Sequence, residues 1–200
     1  MPDKSSKEEK LQKYYNHLED EEKILLYSIG ALGNTPIRNK TKLQKLLFLT
    51  SNVFNEYQDL LSFEPHLYGP YSEYVEDILD DLIKMELVSE ERKQYKLTAL
   101  GEELYNRLKP KEELVTVLED FKLFLNDLTN DELLAFVYVT YPKFTSEAVK
   151  WDELKNNREY YALQLLKKKK VSFAKAVEIS GLSSSEFDIL TKKEGIKWRI

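Results

Sequence analysis

Cysteine is absent from this chain of 200 residues, which excludes disulfides, thiolate catalysis and every zinc site that uses sulfur. Only two histidines, His17 and His66, are present, so one chain cannot build a three-histidine metal site. Six glycines and six prolines are too few for a collagen-like or low-complexity chain. The composition, 42% hydrophobic and 32% charged, is that of a globular chain with a heavily charged surface.

Long apolar runs and the common catalytic motifs are also missing. No apolar run approaches the roughly 18 residues of a membrane span, and the N-terminal sequence MPDKSSKEEK lacks the apolar segment of a secretory signal. Phosphate-binding glycine loops and the Gly-x-Ser-x-Gly elbow are absent, and neither histidine has an evident nucleophile partner. We therefore expect a cytoplasmic, non-catalytic protein with no cofactor, no metal and no membrane partner.

Charge is distributed unevenly along the chain, whose net charge is −5. Residues 165–200 hold nine Lys or Arg and four Asp or Glu, a local charge of +5, so the rest of the chain carries −10. A basic end favours an acidic partner, and nucleic acid is the usual one because lysine and arginine release counterions from phosphates. The alternative is that the lysine run at 167–170 is a solvated helix end that complements the helix dipole.

The first half of the chain predicts three helices followed by a two-stranded ribbon. Apolar residues recur at three- and four-residue steps, and two short alternating segments flank a polar tip. The helices are expected over 11–32 (as one or two), 43–57 and 71–83, the strands at 87–88 and 95–98, and a closing helix at 99–108. This order is that of a winged helix-turn-helix domain, predicted over 1–109 with its N-terminal helix; a helix bundle without a wing is the alternative.

A helical connector is predicted over 110–150. An amphipathic helix is expected first, and Thr129 with Glu132 forms the capping-box pattern that opens a second, short apolar helix. The apolar stripes at 114–125 and 133–139 are candidate surfaces for a homodimer, unless they pack within the chain.

The C-terminal domain, predicted over 151–200, carries the most specific local pattern. After a helix over 151–169, Gly181 suits the left-handed turn between two helices, and Ser183 with Glu186 forms a second capping box. This pattern predicts a helix-turn-helix, whose second helix enters the major groove of DNA with its N-terminal residues leading. The alternative is a helical hairpin that docks a protein and touches no nucleic acid. The fold class as a whole is mostly α.

Contacts with duplex DNA are expected from this second helix and from basic residues near it. Serine can bond any base edge, aspartate can accept from a cytosine amino group, and lysine neutralises phosphates. The predicted DNA-contact residues are Lys175, Ser183, Ser184, Ser185, Asp188, Lys192 and Lys193, with Arg92 and Lys93 at the ribbon tip. A second, weaker basic patch is expected to combine the tip with Arg38, Lys40, Lys42 and Lys45.

The helix after Gly69-Pro70 would be the DNA reader of a winged helix, yet its polar face is acidic. Carboxylates repel phosphates, whereas they suit a basic protein such as a nuclease toxin. The candidate protein-contact residues are Glu73, Glu76, Asp77, Asp80 and Asp81. An ordinary solvated face is the alternative. A bound cation is not expected, because no second set of ligands faces these carboxylates.

Two segments resemble antitoxin families. KLQKLLFL (42–49) and FEPHLYGPYS (63–72) resemble the Panacea (SocA-type) antitoxin domain and related winged-helix proteins, a likeness that covers about residues 20–100. The segment 171–196, in which VEISG (177–181) precedes Glu186-Phe187, looks like a small prokaryotic antitoxin-like helix-turn-helix family. Both resemblances imply a toxin-neutralising protein or a regulator of its own operon. The leading interpretation is a non-catalytic, DNA-binding transcriptional regulator of the antitoxin type; the alternative is a protein-interaction module that neutralises a toxin or other basic partner without binding DNA.

Overall fold

The computed structural model describes residues 4–198 and divides into two compact units. The first unit comprises the chain up to Phe63 together with Tyr71–Asn126, and the second comprises Glu64–Pro70 together with the chain from Asp127 onward. The described residues are mostly helical, with one two-stranded sheet, which confirms the mostly α class. The unit boundary falls inside the predicted connector, so its two helices belong to different units.

The first unit is built around its second helix. Its elements are α1 (Lys4–His17), α2 (Asp20–Asn34), α3 (Lys40–Ser51), α4 (Glu56–Leu61), α5 (Glu73–Lys84), β1 (Val88–Glu91), β2 (Gln94–Leu97), α6 (Ala99–Leu108) and α7 (Glu112–Asn126). The apolar middle of α2 is buried because α3, α5, α6, α7 and β2 all pack against it. β1 and β2 pair antiparallel, with Val88 opposite Leu97, and Ile37 forms an isolated bridge to Tyr95.

Side-chain caps set where three of these helices begin. Asn39, Ser72 and Thr98 precede α3, α5 and α6, and each accepts a hydrogen bond from the backbone N–H three residues later. Each cap satisfies a donor that the first helical turn leaves unpaired. α5 then buries its apolar stripe and leaves its carboxylates on the opposite side.

The predicted helix over 43–57 is wrong in length, because the structure has α3 and α4 in its place. The backbone N–H groups of Val53 and Phe54 both bond the carbonyl of Thr50, so the chain leaves the helix in a tight turn. α4 then buries Leu61. The continuing apolar stripe in the sequence does not show this break.

The second unit consists of short helices. They are α8 (Asn130–Thr140), a 3-10 turn (Pro142–Thr145), α9 (Trp151–Lys155), α10 (Arg158–Lys167), α11 (Phe173–Ser180) and α12 (Ser184–Lys193). The predicted capping box of Thr129 and Glu132 is present at the start of α8. The single helix predicted over 151–169 is two helices. The amide groups of Asn156 and Asn157 bond back to the carbonyls of Asp152 and Glu153, the local bonding by which asparagine disfavours a continuous helix.

The two apolar stripes predicted as homodimer surfaces face the interior of the chain. Leu114, Leu118 and Leu125 of α7 are at most 5% exposed, and α7 packs on α2 and α3. Leu133 and Val137 of α8 are fully buried among α9, α10 and α11. The buried members of these stripes therefore build the cores of their own units. No helix in the described range is both long enough and apolar enough to cross a membrane.

Candidate nucleic-acid interface

α11 and α12 are joined by a turn in which glycine adopts the required backbone geometry without strain. Gly181 has a φ of 77°, in the left-handed region that only glycine adopts without steric cost. The Ser180 hydroxyl donates to the Val177 carbonyl at 2.7 Å and accepts the N–H of Leu182 at 3.1 Å. These bonds satisfy backbone groups that the end of α11 leaves unpaired, so the direction of the chain into α12 is fixed.

α12 begins at the predicted capping box. The Ser183 hydroxyl accepts the N–H of Glu186 at 3.3 Å, and the Glu186 carboxylate accepts the N–H and the hydroxyl of Ser183 at 2.9 and 2.6 Å. These bonds to Ser183 lower the pKa of Glu186 below its ordinary value. The Ser183 side chain, predicted to contact DNA, is therefore engaged in the cap, although Ser183, Ser184 and Ser185 are all exposed.

An aromatic stack supports the inner side of α12. Phe187 is fully buried, and its ring lies 5.6 Å from that of Phe173 at the start of α11. Trp198 stacks on Phe173, with ring centroids 3.8 Å apart and planes inclined by 19°. Trp198 therefore packs the C-terminal segment against the helix pair.

Arg158, which sequence reasoning missed, holds the end of α11. Its Nε donates to the Ile179 carbonyl at 2.6 Å and its Nη2 to the Glu178 carbonyl at 2.7 Å. A charged donor at the C-terminal end of a helix satisfies orphan carbonyls and complements the helix dipole. No local pattern could have revealed this contact, because about twenty residues separate the guanidinium from the carbonyls.

The side of α12 opposite Phe187 forms an exposed stripe, which we call the outer face of α12. It consists of Ser185, Ile189, Lys192 and Lys193: Ser185 lies four residues before Ile189, and the two lysines lie three and four residues after it. Ile189 is 67% exposed, although the sequence analysis did not single it out. The outer face thus presents a hydroxyl, an aliphatic side chain and two ammonium groups.

Ion pairs reduce the number of lysines that can meet phosphates. Lys192 pairs with Asp188 at 2.5 Å, and Lys175 pairs with Glu178 at 2.9 Å. Asp188, predicted to contact a base, therefore lies beside its own helix's lysine, with its side chain 22% exposed.

Only two of the four lysines at 167–170 form salt bridges among the described residues. Lys168 pairs with Glu132 at 2.7 Å, and Lys170 pairs with Asp127 at 2.5 Å, so both hold the start of α8. By contrast, four lysines with exposed side chains form no salt bridge among the described residues: Lys167, Lys169, Lys193 and Lys197. Among the described residues of this end, these four lysines are exposed without a salt bridge, and Lys192 stays 69% exposed beside Asp188.

The weaker basic patch predicted in the first unit is wrong at two of its members, Lys42 and Lys45. Lys42 and Lys45 are 3% and 1% exposed, so neither contributes to a surface patch. Burial lowers the pKa of Lys45 to about 7. Arg92 and Lys93 are exposed at the hairpin tip, where both have positive φ.

A second buried lysine, Lys122, stabilises a break in α2. The helix departs from helical geometry at residues 31–33, and the Nζ of Lys122 donates to the carbonyls of Ile29 and Ala31 at 2.5 and 2.8 Å. Burial lowers the pKa of Lys122 to about 7, while the nearby Glu119 acts in the opposite direction. Its role is structural, since it satisfies carbonyls that the broken helix leaves unpaired.

The acidic face predicted on α5 is present. Glu73, Asp77 and Asp80 are exposed, and none of them forms a salt bridge in the part of the chain that the structure describes. The other two acids are paired: Glu76 lies 3.4 Å from Lys40, and Asp81 lies 2.7 Å from Lys84. Within residues 4–198, no group of three or more His, Asp or Glu is arranged to hold a metal ion.

Comparison of the chain with protein-family models, with curated proteins and with solved structures finds no match. The two antitoxin resemblances therefore depend on the sequence segments alone. Two surfaces of the described residues carry geometry and charge that bear on function: the outer face of α12 and the acidic face of α5.

Proposed function

We propose that the protein is a non-catalytic, DNA-binding transcriptional regulator of the antitoxin type, and that α11 and α12 are a helix-turn-helix that binds duplex DNA. The observation that carries this proposal is the exposed outer face of α12, with Ser185 at its start and Lys192 and Lys193 at its end; Ser184 is exposed beside it at the capped end of the helix. In a helix-turn-helix, the second helix lies in the major groove with its N-terminal residues nearest the bases.

The local construction of α12 supports this proposal. The capping box and the bonds from Arg158 fix both ends of the turn through residues that do not belong to the outer face. A rigid element holds contacting side chains more accurately than a loop does. The hydroxyl groups of Ser184 and Ser185 suit base edges, which are read by hydrogen bonds in the groove.

The charge distribution supports the same proposal. Lys167, Lys169, Lys193 and Lys197 are exposed within a region whose local charge is +5. Each lysine that reaches a phosphate displaces condensed counterions, which makes binding favourable and dependent on salt. The assignment to the antitoxin type depends on the resemblance of segments 42–72 and 171–196 to antitoxin families.

For the first unit we propose a winged-helix fold that does not read DNA with its third helix. α2, the Ile37 bridge, α3, α5 and the β1–β2 hairpin follow in the order of that fold. The helix in the reading position is α5, and its outward side carries carboxylates, which would meet phosphates unfavourably.

The salt dependence of binding to mixed-sequence duplex DNA tests the proposed function. We expect the wild-type association constant to fall steeply as salt rises. Reversing the charge of two exposed lysines, in the double variant Lys169→Glu and Lys193→Glu, should weaken binding at least tenfold. The slope of the logarithm of the association constant against the logarithm of the salt concentration should become shallower by about 1.8, because each phosphate contact contributes about 0.9.

The matched control is Lys13→Glu with Lys111→Glu, which makes the same change in net charge at exposed lysines of the first unit. This control should keep the wild-type slope. Absence of duplex binding, or equal loss in the two double variants, would contradict DNA binding through the second unit.

The exposed carboxylates of Glu73, Asp77 and Asp80 favour a second candidate function, the binding of a basic protein such as a toxin. The test is co-expression with the proteins encoded beside its own gene. A true partner should be lost with Asp77→Lys plus Asp80→Lys and retained with Glu91→Lys plus Glu112→Lys, a matched reversal at exposed acids elsewhere in the first unit. Equal retention by both double variants would contradict a role for the acidic face.

A further inference from the structure

Ile189 occupies the centre of the outer face of α12 and projects into solvent. It is 67% exposed, the highest value among the large hydrophobic residues that the structure describes. Ser185 lies one turn before it, and Lys193 lies one turn after it. The inner side of the helix is formed by Phe187 and Thr191, both fully buried, so packing within the unit does not use Ile189.

The surroundings of Ile189 do not resemble a protein-docking patch. Within the described residues of α11 and α12, no other large hydrophobic side chain is exposed. Protein interfaces have a desolvated core of several apolar or aromatic side chains, which a single isoleucine flanked by Ser185, Glu186, Lys192 and Lys193 does not provide. Ser185, Lys192 and Lys193 are instead complementary to the polar edges and phosphates of a nucleic acid.

Duplex DNA offers one apolar group in its major groove, the C5-methyl of thymine. Resting on the function proposed above, we infer that Ile189 is a specificity-determining residue that contacts this methyl group. The flanking side chains then have distinct partners: Ser184 and Ser185 reach base edges nearer the capped end, and Lys193 reaches a phosphate. The preferred ligand is duplex DNA with thymine opposite the middle of α12. Duplex RNA does not fit as the ligand of Ile189, because it lacks the methyl group and its major groove is too narrow for side chains to read.

The test begins with selection of preferred sites from a random-sequence duplex DNA pool by the full chain. Each thymine of the selected site is then replaced singly by deoxyuridine, which removes the methyl group and leaves every hydrogen-bonding group in place. For the wild type, we expect one or two replacements to weaken binding about fourfold, the effect of withdrawing one methyl-sized apolar contact.

The Ile189→Ala variant isolates the role of this side chain. Because Ile189 is mostly exposed and alanine favours helices, the variant should fold as the wild type does. It should bind the thymine and deoxyuridine duplexes equally, so the fourfold ratio falls to about one. Ile189→Val, which keeps a branched aliphatic group, should retain most of the ratio.

The outcomes separate this inference from the proposed function. Salt-dependent binding with no selected sequence, or with no sensitivity to deoxyuridine, would overturn the role of Ile189 and leave DNA binding in place. A fourfold ratio that persists in Ile189→Ala would assign the methyl contact to another residue and overturn the inference as well. If duplex DNA does not bind at all, both proposals fail.

Discussion

Two lysines, Lys45 and Lys122, lie in the core of the first unit, where charged side chains are rarely found without compensation. Burial disfavours the ammonium form, so the pKa of each falls to about 7. In the unfolded chain the pKa of a lysine is about 10.4. Around neutral pH, the unfolded state therefore binds more protons than the folded state does.

This difference predicts that stability rises with pH above neutrality. A depressed lysine pKa makes the free energy of unfolding increase between pH 7 and about 10, by up to about 1.4 kcal/mol per pH unit for each lysine. Tyrosines oppose this rise only above about pH 10, where a tyrosine of the unfolded chain loses its proton. Burial raises the pKa of Tyr27 and Tyr95 to about 12, so the folded state still holds these protons and stability then falls as pH rises.

Urea unfolding at pH 7.0, 8.0 and 9.0, roughly between the folded and unfolded pKa values of the two lysines, measures the effect. The slope should be smaller in Lys45→Met and smaller in Lys122→Met. As a control, Lys13→Met changes an exposed lysine and should leave the slope unchanged. A flat or falling profile in the wild type would show that both lysines keep their ordinary pKa.

At the scale of elements, the turn between α11 and α12 depends on a glycine that the sequence pattern identifies. A methyl group at Gly181 would meet the Arg158 guanidinium at 3.0 Å and would also have to accept a φ of 77°. Gly195 has a similar φ of 66°, but a methyl group there meets nothing within 4 Å. The two glycines therefore form a matched pair that separates backbone strain from displacement of Arg158.

Gly181→Ala should destabilise the protein more than Gly195→Ala does. Both variants carry the left-handed strain of about 1–2 kcal/mol, and only the first disturbs the bonds that Arg158 makes to the end of α11. Thermal unfolding followed by circular dichroism measures the difference. Equal losses of stability in the two variants would mean that the Arg158 contact contributes little.

Elements marked by capping residues or by a turn glycine were predictable, and those set by other side-chain bonding and packing were not. The capping boxes at Thr129 and Ser183 and the turn at Gly181 are encoded within a few residues, and the structure has all three. The break between α9 and α10 and the burial of Lys45 depend on side-chain bonding and packing that periodicity does not register. Within the candidate site, Ser184 and Ser185 are exposed as expected, while Ile189 was passed over because an apolar residue on a helix normally packs inward.

At the scale of the whole molecule, an acidic chain carries a basic end. Residues 165–200 have a charge of +5, and the remainder has −10. At about 0.1 M salt the Debye length is about 10 Å, so a polyanion at the surface of α12 is governed mainly by the charges close to it. The negative total charge does not conflict with DNA binding, although it should make the affinity especially sensitive to the few exposed lysines.

Duplex DNA is proposed to bind on the outer face of α12. Amide chemical shifts of the isotopically labelled chain, recorded as duplex DNA is added, locate the binding surface residue by residue. We predict that the largest changes fall within Ser184–Lys193 and at the lysines exposed beside it, and that α5 is unaffected. Changes centred on α5, or none along α12, would contradict the account.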